Sequence, residues 1–427
     1  MTPTRPTRPT RPAGTAPVAA WAVASAAMFM CGWGGNQFTP LLSMYRAVNG
    51  YSATVVDALL GAYVLGLAPA LLVGGPLSDR HGRRRVMLAG LTASGLGSTS
   101  LAVGALPFLA AGRLLCGVAV GLGMAVGTSW VTELTVARGR SQATGARRAS
   151  LSLTAGFGIG AGVAGVLAQW SPHPETVPYL VHLAFTVAVL AAVARWCAET
   201  RPAGSDVRLA DRLRTPSVRH PRFRRLVLPM APWVFGAAGV AYAIVPQSMA
   251  PRMGHWSLIY ATALTVVTLG AGVLVQPLGR RLDHLSRPRA ILAAMVALTG
   301  GIVVAAISVA LDSPWFGALA ALVLGASYGV ALVAGLLEIQ RTARPEELPA
   351  LTGVYYALSY VGFLLPTALA VAGRWMHTDL ELGVLAAVAL ACTGVIMTGR
   401  RLPAASAPPE ATGRPARAAE LVGGRTG

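Results

Sequence analysis

Twelve runs of about twenty apolar residues, parted by short polar turns, leave this chain of 427 residues little choice of fold. The runs lie near 18–42, 53–76, 86–106, 108–132, 149–170, 178–198, 226–246, 257–278, 290–310, 315–338, 351–373 and 380–399. Inside a bilayer every backbone N–H and C=O needs a partner, so a spanning segment is a helix or a strand of a closed barrel. Only 12% of the residues are charged, against about a quarter in soluble domains, so the solvent they imply is lipid. The expected fold is all-α and integral to the membrane: twelve transmembrane helices in two six-helix bundles, 18–200 and 226–402. Segment 201–225 reads as a cytoplasmic Arg-rich linker. The Thr-Arg-Pro repeats of 1–17 and the tail 403–427 read as disordered and cytoplasmic. Because eleven further runs follow the first, that first run reads as an uncleaved helix and not as a signal peptide.

The basic residues narrow function. All 35 are arginine. With no lysine there is no P-loop and no Schiff-base site, so uphill work must draw on a gradient or a separate subunit. With the N-terminus placed in the cytoplasm, 31 of the arginines fall on that side and only Arg46, Arg252 and Arg374 lie outside, while Arg113 sits within a helix. That alternation predicts a multi-pass protein of the inner cell membrane with both termini cytoplasmic. The net charge of +19 is therefore a topology signal and not a nucleic-acid footprint. Cys31, Cys116, Cys197 and Cys392 have no metal-ligand spacing, and no nucleophile constellation is present, so neither metal, cofactor nor enzyme activity is expected.

The halves echo each other. Pro76-Leu77-Ser78-Asp79-Arg80 precedes the third run and Pro277-Leu278-Gly279-Arg280-Arg281 the ninth, about 200 residues later. Parallel repeats with a cavity at their interface are one way to build an alternating-access carrier. The first copy continues as Gly75-Pro76-Leu77-Ser78-Asp79-Arg80-His81-Gly82-Arg83-Arg84-Arg85. It resembles the loop signature of the major facilitator superfamily, G-x-L-[AS]-D-R-x-G-R-R. The resemblance implies a conformational latch built on Gly75, Asp79, Arg80, Gly82, Arg83 and Arg84. Arg113-Leu114-Leu115-Cys116-Gly117 resembles the family's R-x-x-x-G pattern, whose arginine is implicated in proton transfer. Gly156 to Gly165 is similar to the glycine-rich motif of the family's exporters, with Ala161 where proline is usual; close helix packing explains those glycines equally well.

Polar groups inside the runs are the other candidates, since each is costly in hydrocarbon. Arg113, Glu133 and Asp57 are nominated for proton coupling or cavity charge. Asp57 also reads as an exposed helix start, Arg113 as snorkelling outward, and Glu338 as a cytoplasmic ion pair with Arg341. Asn36, Gln37, His182, Trp233, Tyr328, Tyr355 and Tyr356 are nominated for a substrate cavity, with Tyr360 beside them on the eleventh run. Interhelix packing is the competing reading for each. The expected function is secondary active transport, as proton-coupled efflux of a drug-like or amphiphilic solute. Import of a small sugar or organic acid, or a non-transporting sensor role, are the alternatives. The expected partners are a small-molecule substrate, a proton and the lipid bilayer, with the chain a monomer.

Overall fold

The computed structural model describes residues 20–201, 215–282, 289–344 and 346–402. The tails 1–17 and 403–427 and most of the 201–225 linker lie outside the described residues. The first half opens with α1 (Ala20–Asn36), which passes through a 3-10 turn at Thr39–Leu41 into α2 (Leu42–Asn49). Next come α3 (Ala53–His81), α4 (Arg83–Ala102) and α5 (Leu106–Leu122). A π-helical turn at Gly123–Gly127 carries α5 into α6 (Thr128–Val136), followed by α7 (Gln142–Trp170) and α8 (Val177–Trp196). In the second half α9 (Leu228–Gly239) runs through a π turn at Val240–Ile244 into α10 (Val245–Met253). It continues with α11 (Ser257–Leu282), α12 (Arg289–Ala310) and α13 (Pro314–Thr342). The last rods are α14 (Leu348–Val361), bent by a 3-10 turn at Gly362–Leu364 into α15 (Leu365–Ala372), and α16 (Thr378–Gly399).

Among the described residues nine segments are long and apolar enough to cross a membrane. One of them, Phe223–Leu282, holds 60 residues; as a single helix it would reach about 90 Å, three times the hydrocarbon thickness. Gly254 breaks it, taking a φ of +51° that a side chain would resist. Helix α1 falls short of the length test at 17 residues, and α4 opens on three arginines. Several rods outrun the apolar stretches that predict them: α3 extends to His81, α7 starts at Gln142 and α13 ends at Thr342. The added turns are polar and Arg-bearing, and helical hydrogen bonding continues past the hydrocarbon edge. Ser52 and Ser141 cap α3 and α7, each side chain accepting from the backbone three residues on.

Neighbour relations repeat between the halves. In the first, α3 lies on α5, α4 on α5 and on α8, and α1 on α7; in the second, α11 lies on α13, α12 on α13 and on α16, and α9 on α14. The closest of these crossings depend on glycine. A Cβ on Gly66 would strike the Leu114 carbonyl and one on Gly117 the Tyr63 carbonyl, so α3 and α5 meet backbone to backbone. Gly325 against the Thr268 carbonyl and Gly329 against the Gly272 carbonyl do the same for α11 and α13. The halves meet where α3 touches α14 and α15, and where α7 touches α11. Outward faces carry large apolar side chains such as Leu274, 82% exposed, and Leu65, 69% exposed. A water-facing surface would not be built from these residues; a lipid-facing one is.

Candidate functional site

Arg113 is the centre of the site. Its helix, α5, is held so close to α3 at Gly117 that the guanidinium, one turn away, reaches the α3 backbone. Nε donates to the Leu59 carbonyl at 3.1 Å, and Nη1 donates to the Gly35 carbonyl at 3.0 Å, in the last turn of α1. The C-terminal end of a helix favours a cation. Two rings complete the seat: the guanidinium carbon lies 4.9 Å from the centroid of Phe38 and 4.6 Å from that of Tyr63. Arg113 is 1% exposed, so it does not snorkel outward. No carboxylate pairs with it among the described residues, and Nη2 has no acceptor there. A buried cation held by carbonyls and rings alone lacks the anion that would offset its desolvation.

That cation borders a cavity between the halves. Gly35, Asn36, Thr39, Leu60, Tyr63 and Phe157 line it from the first half together with Arg113. Phe235, Tyr242, Leu269, Tyr328, Tyr360 and Phe363 face them from the second. The second-half wall is a stack of rings: Phe235 lies 4.1 Å from Tyr360 and 4.9 Å from Phe363, centroid to centroid. Tyr242 sits in the π turn of Val240–Ile244, where one extra residue per turn resets the direction of the following side chains. The volume is about 30 Å³, room for a water and not for an organic solute. Admitting one requires the halves to part.

Two of the seven residues nominated for the cavity, Asn36 and Tyr328, line it. Gln37 donates to Ser98 Oγ at 2.9 Å, and His182 Nδ1 bonds the same hydroxyl at 2.7 Å while Nε2 reaches the Met30 carbonyl at 3.0 Å. His182 is thus consumed inside the first half, and Gln37 spends its amide N–H there, while its Oε1 is buried with no partner among the described residues. Tyr355 donates its hydroxyl to the Ala331 and Leu332 carbonyls and packs on α13. Tyr356 and Trp233 also stand outside the lining. A helix turns 100° per residue, so the tyrosines at 355 and 360 face different neighbours. Tyr63, Phe235, Tyr242 and Phe363 are cavity residues that the sequence reading passes over. The phenolic groups of Tyr63 and Tyr242, deep within apolar runs, are the signal that could have found two of them.

The signature loop forms a separate site at the Arg-rich end. Asp79 Oδ1 lies 3.1 Å from Arg83 Nη1 and 3.1 Å from Arg201 Nη1. Arg83 also binds Ser78 Oγ and reaches Glu133 Oε1 at 3.3 Å, and Thr200 donates to the other Glu133 oxygen. Glu199 accepts from the backbone N–H of Arg83 at 2.8 Å and of Arg84 at 3.1 Å, capping α4 with a carboxylate. Gly82 is required there twice over, by a φ of +93° and by the Glu199 carboxylate that would meet any Cβ. Gly75 faces open space, and Gly74 makes the close approach, to Ala125. Arg80 is exposed, whereas Arg84 donates to the Ala194 carbonyl. Glu133 thus joins Asp79 through Arg83, and Arg113 is not part of this network. Glu338, read as a cytoplasmic ion pair, does lie 3.8 Å from Arg341 Nη1, but it is 1% exposed and takes a closer, bidentate contact from Arg222, Nε at 2.5 Å and Nη2 at 2.9 Å. Asp57, nominated for proton coupling or cavity charge with an exposed helix start as the competing reading, is fully buried, which removes the latter. Of the glycines between 156 and 165, Gly156 and Gly160 abut Phe29 and Trp33 of α1, Gly165 abuts Thr262 of α11, and Gly158 faces open space.

Two helical halves meeting at a cavity that a buried cation borders define a multi-pass membrane protein. The family model of the Major Facilitator Superfamily matches residues 22–367, and the chain belongs to that family. It is 34% identical over 129 residues to the gallate transporter of Pseudomonas putida, 29% of this chain and 27% of that protein. It is 31% identical over 113 residues to the 3-(3-hydroxy-phenyl)propionate transporter of Escherichia coli (strain K12), 26% of this chain and 28% of that one. A longer match, 27% over 263 residues, is to the uncharacterized MFS-type transporter YceJ of Bacillus subtilis (strain 168), covering 60% of this chain and 63% of that protein. The chain therefore spans less than two thirds of each of these relatives. Among solved structures, a nucleoside transporter superposes with a TM-score of 0.72 at 10% identity, covering 89% of this chain and 99% of that one. A D-xylose–proton symporter gives 0.67 at 13%, covering 90% and 98%. These likenesses concern the fold.

Proposed function

We propose that this protein carries a small aromatic acid, as its anion, across the cell membrane by alternating access and in symport with a proton. The observation that carries the reading is Arg113: a buried guanidinium with no carboxylate partner among the described residues, facing rings from both halves. An aromatic carboxylate supplies what that seat lacks, an anion for the guanidinium and a flat apolar face for Phe235, Tyr360 and Phe363. The gallate and hydroxyphenylpropionate transporters are relatives of matching chemistry. The efflux reading has no comparable observation behind it: Gly156, Gly160 and Gly165 of its motif pack against neighbouring helices. In this proposal twelve rods cross the inner membrane, with the Arg-rich ends and both termini in the cytoplasm, and Asp79 holds the latch with Arg83 and Arg201. Counterflow in proteoliposomes tests it. Hydroxybenzoates and phenylpropionates should exchange, and sugars and cationic dyes should not. Movement of dyes or sugars without aromatic acids would overturn the proposal.

A further inference from the structure

Asp57 and Gln247 join the halves on the side away from the signature loop. Asp57 stands in the second turn of α3, fully buried. Its Oδ1 accepts from Gln247 Nε2 of α10 at 2.8 Å, a bond from one half to the other, and its Oδ2 has no partner among the described residues. Gln247 also lines an outer vestibule of about 400 Å³ with Ser43, Arg46 and Tyr51. Two residues further along α3, the Leu59 carbonyl holds Arg113, and Leu60 lines the central cavity. Asp57 is thus set between the vestibule and the substrate seat. Beside it Thr54 donates to the Ala370 carbonyl of α15 at 3.3 Å, a second link between the halves at the same level.

An ionised carboxylate has about four lone-pair positions to fill, and this one has a single donor. Charged and dry, it is strongly disfavoured; wetted by the vestibule, or protonated, it is not. The charged groups around it do not remove that cost. Arg46 of α2 acts on it only through space, from the vestibule wall, and Arg113 of α5 is tied to carbonyls and rings. Arg252 of α10 pairs with Asp312; α14 contributes tyrosines and no charge, and α15 contributes no titratable side chain.

We infer that Asp57 binds the coupling proton and that the vestibule-side gate, Asp57–Gln247 with Thr54–Ala370, closes only when Asp57 is neutral. The proton arrives from vestibule water onto Oδ2 and leaves when the opposite side opens. The inference rests on the carrier reading above, and its test is independent of substrate. Spin labels at Val48→Cys and Trp375→Cys, two exposed positions on opposite halves, report the gate in a Cys392→Ser background. Lowering the pH from about 8 to about 5 without substrate should raise the closed, short-distance population several-fold. Asp57→Asn, which keeps the Gln247 contact, should stay closed at both pH values and lose accumulation driven by a pH gradient. An unchanged pH response in Asp57→Asn, or none in the parent, overturns the inference. Should Asp57→Asn not fold, Gln247→Leu serves instead: at low pH its distances should lengthen to the parent's high-pH values, and a parent-like closed population refutes the gate. A pH-responsive gate without exchange of aromatic acids sinks the substrate reading alone; exchange without a pH-responsive gate sinks this inference alone.

Discussion

Replacing Arg113 with methionine separates anion recognition from folding. The unbranched methionine keeps much of the stem's packing between Phe38 and Tyr63 and removes the charge. In the parent, Nε and Nη1 are tied to the Leu59 and Gly35 carbonyls, so a bound carboxylate is left with Nη2 and the free N–H of Nη1. That geometry supplies two charge-assisted hydrogen bonds at about 1.5 kcal/mol each. Their loss is about 3 kcal/mol, roughly a 100-fold rise in Kd. Stability should move little. The substitution strips donors from two carbonyls and loses the ring contacts, and it also releases a buried cation from its desolvation cost. In nanodiscs, equilibrium binding of a radiolabelled hydroxybenzoate measures the first effect and thermal unfolding without ligand the second. The methyl ester of the same compound is the control, since it presents the ring without the charge. It should bind the parent about as weakly as the acid binds Arg113→Met. A variant that holds the acid within about fivefold of the parent, or a parent that takes ester and acid alike, would refute the reasoning.

Three further outcomes are expected. Gly66→Val should abolish recovery of folded protein, because its Cβ falls on the Leu114 carbonyl, while Gly75→Ala should be neutral or stabilising by up to about 1 kcal/mol; yield and gel filtration compare them. Glu338→Gln should destabilise by about 3 kcal/mol by removing the buried carboxylate that Arg222 grips with two N–H groups, and Arg222→Met with Glu338→Met should recover most of it; unfolding in mixed micelles reads both. Asp79→Asn should fold normally and lose at least about tenfold in exchange rate, since Arg83 and Arg201 both rest on that carboxylate; full exchange would remove the latch.

The rods were legible in the sequence because solvation by lipid acts on each run separately: twenty apolar residues need no knowledge of their neighbours to be a helix. Partners are a different matter. Asp57 reads as an exposed helix start until Gln247, 190 positions later, is brought against it. Glu338 reads as a local pair with Arg341, which forms at 3.8 Å, but its closer partner is Arg222, 116 positions away. Glu199, which caps α4, sits where the sequence shows only the end of an apolar run. Arg113 is legible as a charge that has to face an interior, and the rings around it are not. Phe235 and Phe363 are identical in type to packing aromatics, and only the meeting of the halves makes them a wall. Conversely, Gln37 and His182 carry the polar signature of a site and spend it on Ser98 and Met30 inside one half.

Strong and weak contacts are distributed unevenly, and that distribution bears on how the molecule moves. Charged contacts knit each half: Asp79, Arg83, Glu133 and Arg201 in the first, Arg222 and Glu338 in the second. Backbone-to-backbone glycine crossings add rigidity to the same units. The hydrogen bonds seen to cross between halves are few: Gln247 to Asp57 with Thr54 to Ala370 beside it, Gln169 to the His255 carbonyl, and Tyr360 to the Met124 sulfur. A single neutral hydrogen bond contributes about 1 kcal/mol net, so a few of them can be exchanged against solute contacts, whereas opening a buried ion pair costs several times more. The cavity residues lie on the seam where contacts are weakest. A ligand that bridges Arg113 on one side to the Phe235–Tyr360 stack on the other therefore has leverage over the relative position of two stiff bodies, and that leverage is the physical requirement for coupling solute binding to a change of access.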